Sequence, residues 1–155
     1  MSELVIRKDD LSGKEIADFL EAHLEDMRSI SPPESKHALD IESLKNDNIS
    51  FWTLWQEESL LACGALKLLS RELGEIKSMR TDPNYRGRGL ASIMLKHMIS
   101  QARELGLKKL NLETGSMKFY KPAHQLYSKH GFKECDPFAD YKLDENSIFM
   151  ELSLD

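Results

Sequence analysis

A strand that runs through a glycine-rich turn into a helix N-terminus is restricted in what it can build, and Glu75 to Ala91 has that form. Glu75 to Thr81 reads as a strand, Asp82-Pro83-Asn84 breaks it, Arg86-Gly87-Arg88-Gly89 is the turn, and Leu90 opens a helix. The first turn of a helix has backbone N–H groups without intrahelical partners, and its dipole presents positive charge there, so such a junction suits phosphate. Glycines let main chain approach the oxygens without a Cβ in the way. Arg86 and Arg88 add charge that persists at any working pH.

The rest of the chain reads as alternating elements. Leu4–Lys8 is a short strand. Ser12-Gly-Lys-Glu15 has the form of a capping box, with Leu11 and Ile16 placed as a hydrophobic staple. Ile16, Phe19, Leu20, Leu24 and Met27 recur at helical spacing, which predicts a helix over about 12–28 that Pro32-Pro33 would stop. A short helix is expected over 36–44, inside a surface connection or substrate entrance spanning 31–48. Strands follow at 49–56, 60–69 (with Gly64 as a bulge) and 75–81. The helix over 90–105 would turn Leu90, Ile93, Met94, Met98, Ala102 and Leu105 to one face, ending at Gly106. Beyond it come a strand at 108–113, a helix from Pro122 to His130 and strands at 132–135 and 148–152. Three consecutive strands suggest an antiparallel meander. The units 75–113 and 109–135 look like crossovers, so the sheet is mixed α/β.

Composition narrows the function. With 155 residues, one domain spanning 1–155 is expected. A net charge of −5 gives no basic face for general nucleic-acid binding. No apolar run suggests a membrane span or a signal peptide. Cys63 and Cys135 are too few for a disulfide framework and read as free thiols, consistent with a cytoplasmic protein. The histidines at 97, 124 and 130 have no partner at metal-ligand spacing, so no metal site is expected.

Several readings compete for the turn. A Walker A loop would end in Gly-Lys-Ser/Thr, and this one continues Gly89-Leu90-Ala91. A dinucleotide fingerprint has Gly87-x-Gly89 in its favour, but Ser92 stands at the third glycine position. An unligated strand-to-helix connection is the plain structural alternative.

Arg86-Gly-Arg-Gly89-Leu-Ala91 resembles the R/Q-x-x-G-x-G/A acetyl-CoA loop of the GNAT superfamily of N-acetyltransferases. Met79-Arg-Thr-Asp-Pro-Asn-Tyr resembles the strand leading into it. Ala123-His-Gln-Leu126-Tyr127-Ser-Lys-His-Gly131-Phe132 resembles the family's second signature, A-x-x-L-Y-x-x-x-G-F. The likeness spans essentially the whole chain, although the N-terminal third matches in element order alone. Small uncharacterised bacterial acetyltransferases also share stretches like Ser-Pro-Pro-Glu-Ser at 31–35 and Pro-Phe-Ala-Asp-Tyr at 137–141.

The resemblance implies a central, mostly antiparallel sheet of about six to seven strands with about four helices. It implies acetyl transfer from acetyl-CoA to a primary amine by direct attack in a ternary complex, on a small-molecule or peptide acceptor. A non-catalytic acetyl-CoA-binding module is the alternative, and a homodimer is a possibility the family raises. The implied cofactor contacts are Met79, Arg80, Thr81, Arg86, Gly87, Arg88, Gly89, Leu90, Ala91 and Ser92.

Tyr127 is the implied acid, its phenol having an ordinary pKa of about 10. Glu75 is the candidate base, eleven residues before Arg86. In a regular strand it would share a face with Lys77, Met79 and Thr81, and it can equally be a glutamate paired with Lys77. One departure from the pattern is Tyr120, where many family members have an asparagine that contacts the cofactor.

Overall fold

A computed structural model of the chain describes residues 3–30, 41–116, 118–139 and 141–154, with backbone alone described at 23, 27–30, 41–42 and 119. The prolines at 32–33 and residues 36–40 of the expected short helix lie outside the described residues.

Seven strands form one sheet in the order β1-β2-β3-β4-β5-β7-β6. They are β1 (Leu4–Lys8), β2 (Ile49–Gln56), β3 (Ser59–Leu68), β4 (Leu73–Thr81), β5 (Lys109–Gly115), β6 (Lys133–Cys135) and β7 (Ser147–Ser153). The helices are α1 (Lys14–Ile30), the single turn α2 (Ile41–Leu44), α3 (Leu90–Glu104) and α4 (Lys121–Lys129). The first four strands are the expected antiparallel meander, and β4 pairs parallel with β5 across the α3 crossover. The second crossover passes one strand further than adjacency would suggest. β7 inserts between β5 and β6, antiparallel to both.

The sheet has a core on each face. On one, α3 buries Leu90, Met94, Leu95, Met98, Ile99 and Ala102 against β3, β4 and β5, and α4 adds Tyr127. Each large apolar side chain removed from water contributes about 1.5–3 kcal/mol, so this face dominates stability. On the other, Leu11, Ile16 and Leu20 of the α1 region pack with Leu44, Phe51, Cys63 and Ala65. The expected face of α3 holds with one correction. Leu105 is 53% exposed, because the helix ends at Glu104 and Leu105 is its C-cap.

The start of α1 also differs in detail. Leu11 and Ile16 are both buried, as a staple requires, but the Ser12 hydroxyl donates to Asp10 Oδ1 at 2.6 Å. The carbonyl of Gly13 accepts from Ala17 N instead, and the helix begins at Lys14.

The feature that arranges the functional region is a bulge in β4. Cys63 pairs with Arg80 and Ala65 with Lys77, so one residue of β3, Gly64, faces two of β4, Ser78 and Met79. The extra residue is Ser78, at φ 54, outside the usual range for a residue with a Cβ. Its carbonyl accepts from Cys63 Sγ at 3.2 Å, which ties the bulge to β3. Gly64 lies opposite, where a Cβ would sit 2.7 Å from Met98 Cε.

A one-residue insertion changes which face every later side chain takes. Glu75 therefore shares the α1 face with Lys77 and Arg80. Met79 packs into the α3 core, and Thr81 pairs with Ala62 of that core. The regular alternation that would group Glu75 with Met79 and Thr81 is overturned.

Candidate active site

β4 and β5 stay paired only from Leu73 to Ile76. Beyond that point β5 continues beside β7. Lys77–Thr81 keeps β3 on one side and, among the described residues, has no strand on the other. The split exposes a strand edge to which an extended, amide-bearing group can add hydrogen bonds.

At the end of the split the chain makes a short turn. Asp82 Oδ1 accepts from Asn84 N at 2.8 Å, and Pro83–Tyr85 forms one 3-10 turn. Gly87 and Gly89 then take φ 80 and 75, left-handed values that favour glycine. A Cβ built on either would meet nothing within 4 Å, so the space over this loop is open. Gly89 is the N-cap of α3 and makes no side-chain cap, which leaves the first N–H groups of that helix facing the same space.

A cleft of about 560 Å³ joins these parts. Met79, Arg80, Thr81, Arg86, Gly87, Gly89, Leu90, Ala91 and Ser92 line it, as does Tyr127 from α4. Two of the sequence candidates stand outside the lining. Arg88 stacks over the Tyr85 ring at 5.1 Å, and Glu75 lies deeper in the sheet.

Tyr127 is 6% exposed and meets Phe132 edge-on at 5.6 Å. Burial, with the Glu113 carboxylate second, pushes its phenol well above the ordinary value, so it stays protonated. Tyr120 also lines the cleft and covers Gly115 so closely that a Cβ there would collide with its ring. His124 Nε2–H donates to the Gly115 carbonyl at 2.6 Å, holding this turn to α4. Ser92 Oγ lies 2.7 Å from His130 Nε2, and burial holds that imidazole below its usual pKa.

The α1 face of β4 carries a different chemistry. Glu75 is 2% exposed. Its Oε2 accepts from Lys77 Nζ at 3.0 Å and from Tyr141 OH at 2.6 Å, while Lys77 Nζ also donates to Tyr141 OH at 2.8 Å. Burial and then the Glu75 charge raise the Tyr141 phenol far above its ordinary pKa, fixing it as a donor to the carboxylate. Phe138 and Phe149 pack on the Tyr141 ring at 5.0 and 5.5 Å. Three residues on, Arg80 Nη1 donates to Asp26 Oδ2 of α1 at 2.7 Å, and its guanidinium lies over Phe19 at 5.4 Å.

Sequence reasoning missed Tyr141, Asp26 and the cleft-lining Lys129. Tyr141 lies in a segment with no periodicity, and Asp26 is one of several acids along α1. Glu113, near the end of β5, accepts from Ser147 Oγ at 2.7 Å. Among the described residues no group of three or more His, Cys, Asp and Glu side chains is placed to hold a metal ion, and no helix is long and apolar enough to cross a membrane.

An open strand edge leading to a left-handed glycine loop and a helix N-terminus defines a site for a long ligand with amides at one end and phosphate at the other. The residues fit an acyl-CoA. The family model described as Acetyltransferase (GNAT) family matches residues 16–132. The chain is 48% identical over 149 residues to an uncharacterised N-acetyltransferase, YedL, of Escherichia coli K12, covering 96% of this chain and 94% of that one. It is 46% identical to the uncharacterised N-acetyltransferase YsnE of Bacillus subtilis 168, covering 96% and 99%. Its fold matches the PaiA N-acetyltransferase of Thermoplasma acidophilum, solved in complex with coenzyme A, with a TM-score of 0.73 at 17% identity over 97% and 99% of the two chains. The chain belongs to the acetyltransferase (GNAT) family. It is an acyl-CoA-dependent acetyltransferase with acetyl-CoA as its cosubstrate.

Proposed function

We propose that the protein, as a single domain over 1–155, transfers the acetyl group of acetyl-CoA directly to a primary amine with both substrates bound. The observation that carries this reading is the split between β4 and β5, which leaves Lys77–Thr81 open on one edge and leads to the glycine loop, with Arg80 and the loop lining one cleft. Main chain at Met79, Arg80 and Thr81 pairs with the pantetheine amides. N–H groups from Gly87 to Ser92 hold the pyrophosphate, with Arg86 and Arg88 supplying long-range positive charge. A backbone N–H near Met79 faces the thioester oxygen and stabilises the charge it gains, an effect worth about 3–4 kcal/mol at comparable sites.

In the chemical step the amine nitrogen bonds to the acetyl carbon and the carbon–sulfur bond breaks. Tyr127 gives its phenolic proton to the departing sulfur, a role its burial supports by keeping the proton in place. Glu75 is the proposed final acceptor of the amine's proton. Because it lies outside the cleft, the proton reaches it through a relay whose last member is the Tyr141 hydroxyl, which already donates to its carboxylate. Tyr120 contributes a ring to the cleft wall.

Calorimetry with acetyl-CoA and with NAD tests the assignment. Binding of acetyl-CoA alone is expected, and binding of NAD alone would overturn it. Acetyl-CoA binding without CoA release on any primary amine would favour a non-catalytic binding module.

A further inference from the structure

Arg80 is unusual among the cleft residues. Its side chain is only 9% exposed, and among the described residues Asp26 is the carboxylate it meets, at Nη1. Nε is buried with no hydrogen-bond partner among the described residues. A buried guanidinium N–H left without an acceptor is costly, so this edge of Arg80 is set for an oxygen that the described residues do not supply.

The fork geometry says which kind of oxygen fits. A guanidinium offers parallel N–H bonds along the edge shared by Nε and Nη2, a spacing that matches the two oxygens of a carboxylate. Asp26 sits at Nη1 and holds the plane of the group, and Phe19 supports it from α1. Asp26 also offsets much of the arginine's charge, which suits a singly charged ligand group better than a doubly charged phosphate.

Position completes the case. The bulge at Ser78 turns Arg80 to the α1 face, away from Met79 and Thr81. Arg80 therefore lines the cleft from the side opposite the α3 wall. A group held there lies across the strand edge proposed for the thioester.

We propose that Arg80 binds a carboxylate of the acceptor, so that the substrate is a small amino acid rather than a polyamine or an amino sugar. This rests on the acetyltransferase reading above and sharpens it. The net charge of the chain, −5, is no guide here, because the acceptor meets one arginine edge and not the whole surface.

The test is CoA release with a panel of free amino acids, the matching amino-acid amides and a polyamine, on the wild-type protein and on Arg80→Met and Arg80→Lys. For the best free acid, kcat/KM should exceed that of its amide by about 10- to 100-fold, the range for a hydrogen bond to a charged group. Arg80→Met should remove that ratio mainly through KM, and Arg80→Lys should restore part of it. Equal use of acid and amide, a polyamine preference, or an unchanged ratio in Arg80→Met would overturn the proposal while leaving the acetyltransferase reading intact. Acetyl-CoA bound in calorimetry with no amine of any class acetylated would overturn both.

Discussion

The two faces of β4 differ in how they are built. The α3 face is apolar and close-packed, with Met79 set among Met98 and its neighbours, and its open edge leads to a loop whose donors are main chain. The α1 face carries Glu75, Lys77 and Arg80, three charged side chains in seven residues of strand, each with an ionic partner. Main-chain donors on a rigid frame suit a ligand that never changes. Charged side chains held by partners from other elements suit a ligand that must be selected. A single residue, Ser78, keeps Met79 with the first group and Arg80 with the second.

Inserting one alanine between Ser78 and Met79 attacks that division most directly. The extra residue would drive Arg80 into the α3 core and pull Met79 out of it, or strip the strand of its register. Loss of cooperative unfolding, or loss of acetyl-CoA binding in a protein that still folds, is the expected result. An insertion variant with wild-type affinity and melting temperature would show that the register of β4 divides nothing.

Lys77→Met should come next in size. It leaves the Glu75 carboxylate buried with Tyr141 as its remaining donor among the described residues, and removing one member of a buried ion pair costs about 3–5 kcal/mol. Urea unfolding measures this. A loss below about 1 kcal/mol, the scale of an exposed pair, would mean that the site is wetter than its burial implies.

Tyr127→Phe tests the other face through chemistry. Turnover should fall by about 10²-fold or more, as for other positioned acids, with the KM for acetyl-CoA little changed. Because burial and Glu113 raise the phenol's pKa, the neutral form persists as pH rises, and the wild-type rate should show no alkaline loss from this group below about pH 10. Unchanged turnover in the variant would remove Tyr127 from the acid role.

How far the sequence revealed these two faces follows from their construction. The glycine loop was legible because left-handed backbone needs particular residues, and α3 because its apolar positions recur at 3.6. The second signature pointed to Tyr127, which the fold brings to the cleft. The grouping of Glu75 with Met79 was not recoverable from alternation, since counting by twos cannot see an inserted residue. A signal existed all the same. Ile76 and Met79 are both apolar and three apart, and they cannot face one core in a regular strand. Tyr141 left no such trace. It reaches Glu75 from a loop sixty-six residues away, and loop contacts carry no period.

Gly89→Ala should have the smallest effect on stability, about 1 kcal/mol, for a residue with a Cβ held at φ 75. Its consequence for binding is larger in meaning, because the added methyl occupies open space over the loop.

The most direct test of the division is the acetyl-CoA affinity of Gly89→Ala and Arg80→Met, measured side by side by calorimetry. The first substitution alters the loop proposed for the pyrophosphate. The second alters only a side chain on the opposite face of β4. Weaker binding in Gly89→Ala, with Arg80→Met indistinguishable from wild type, is the result the two-face account predicts. A loss in Arg80→Met equal to or greater than that in Gly89→Ala would contradict it, and would return Arg80 to the cofactor side of the strand.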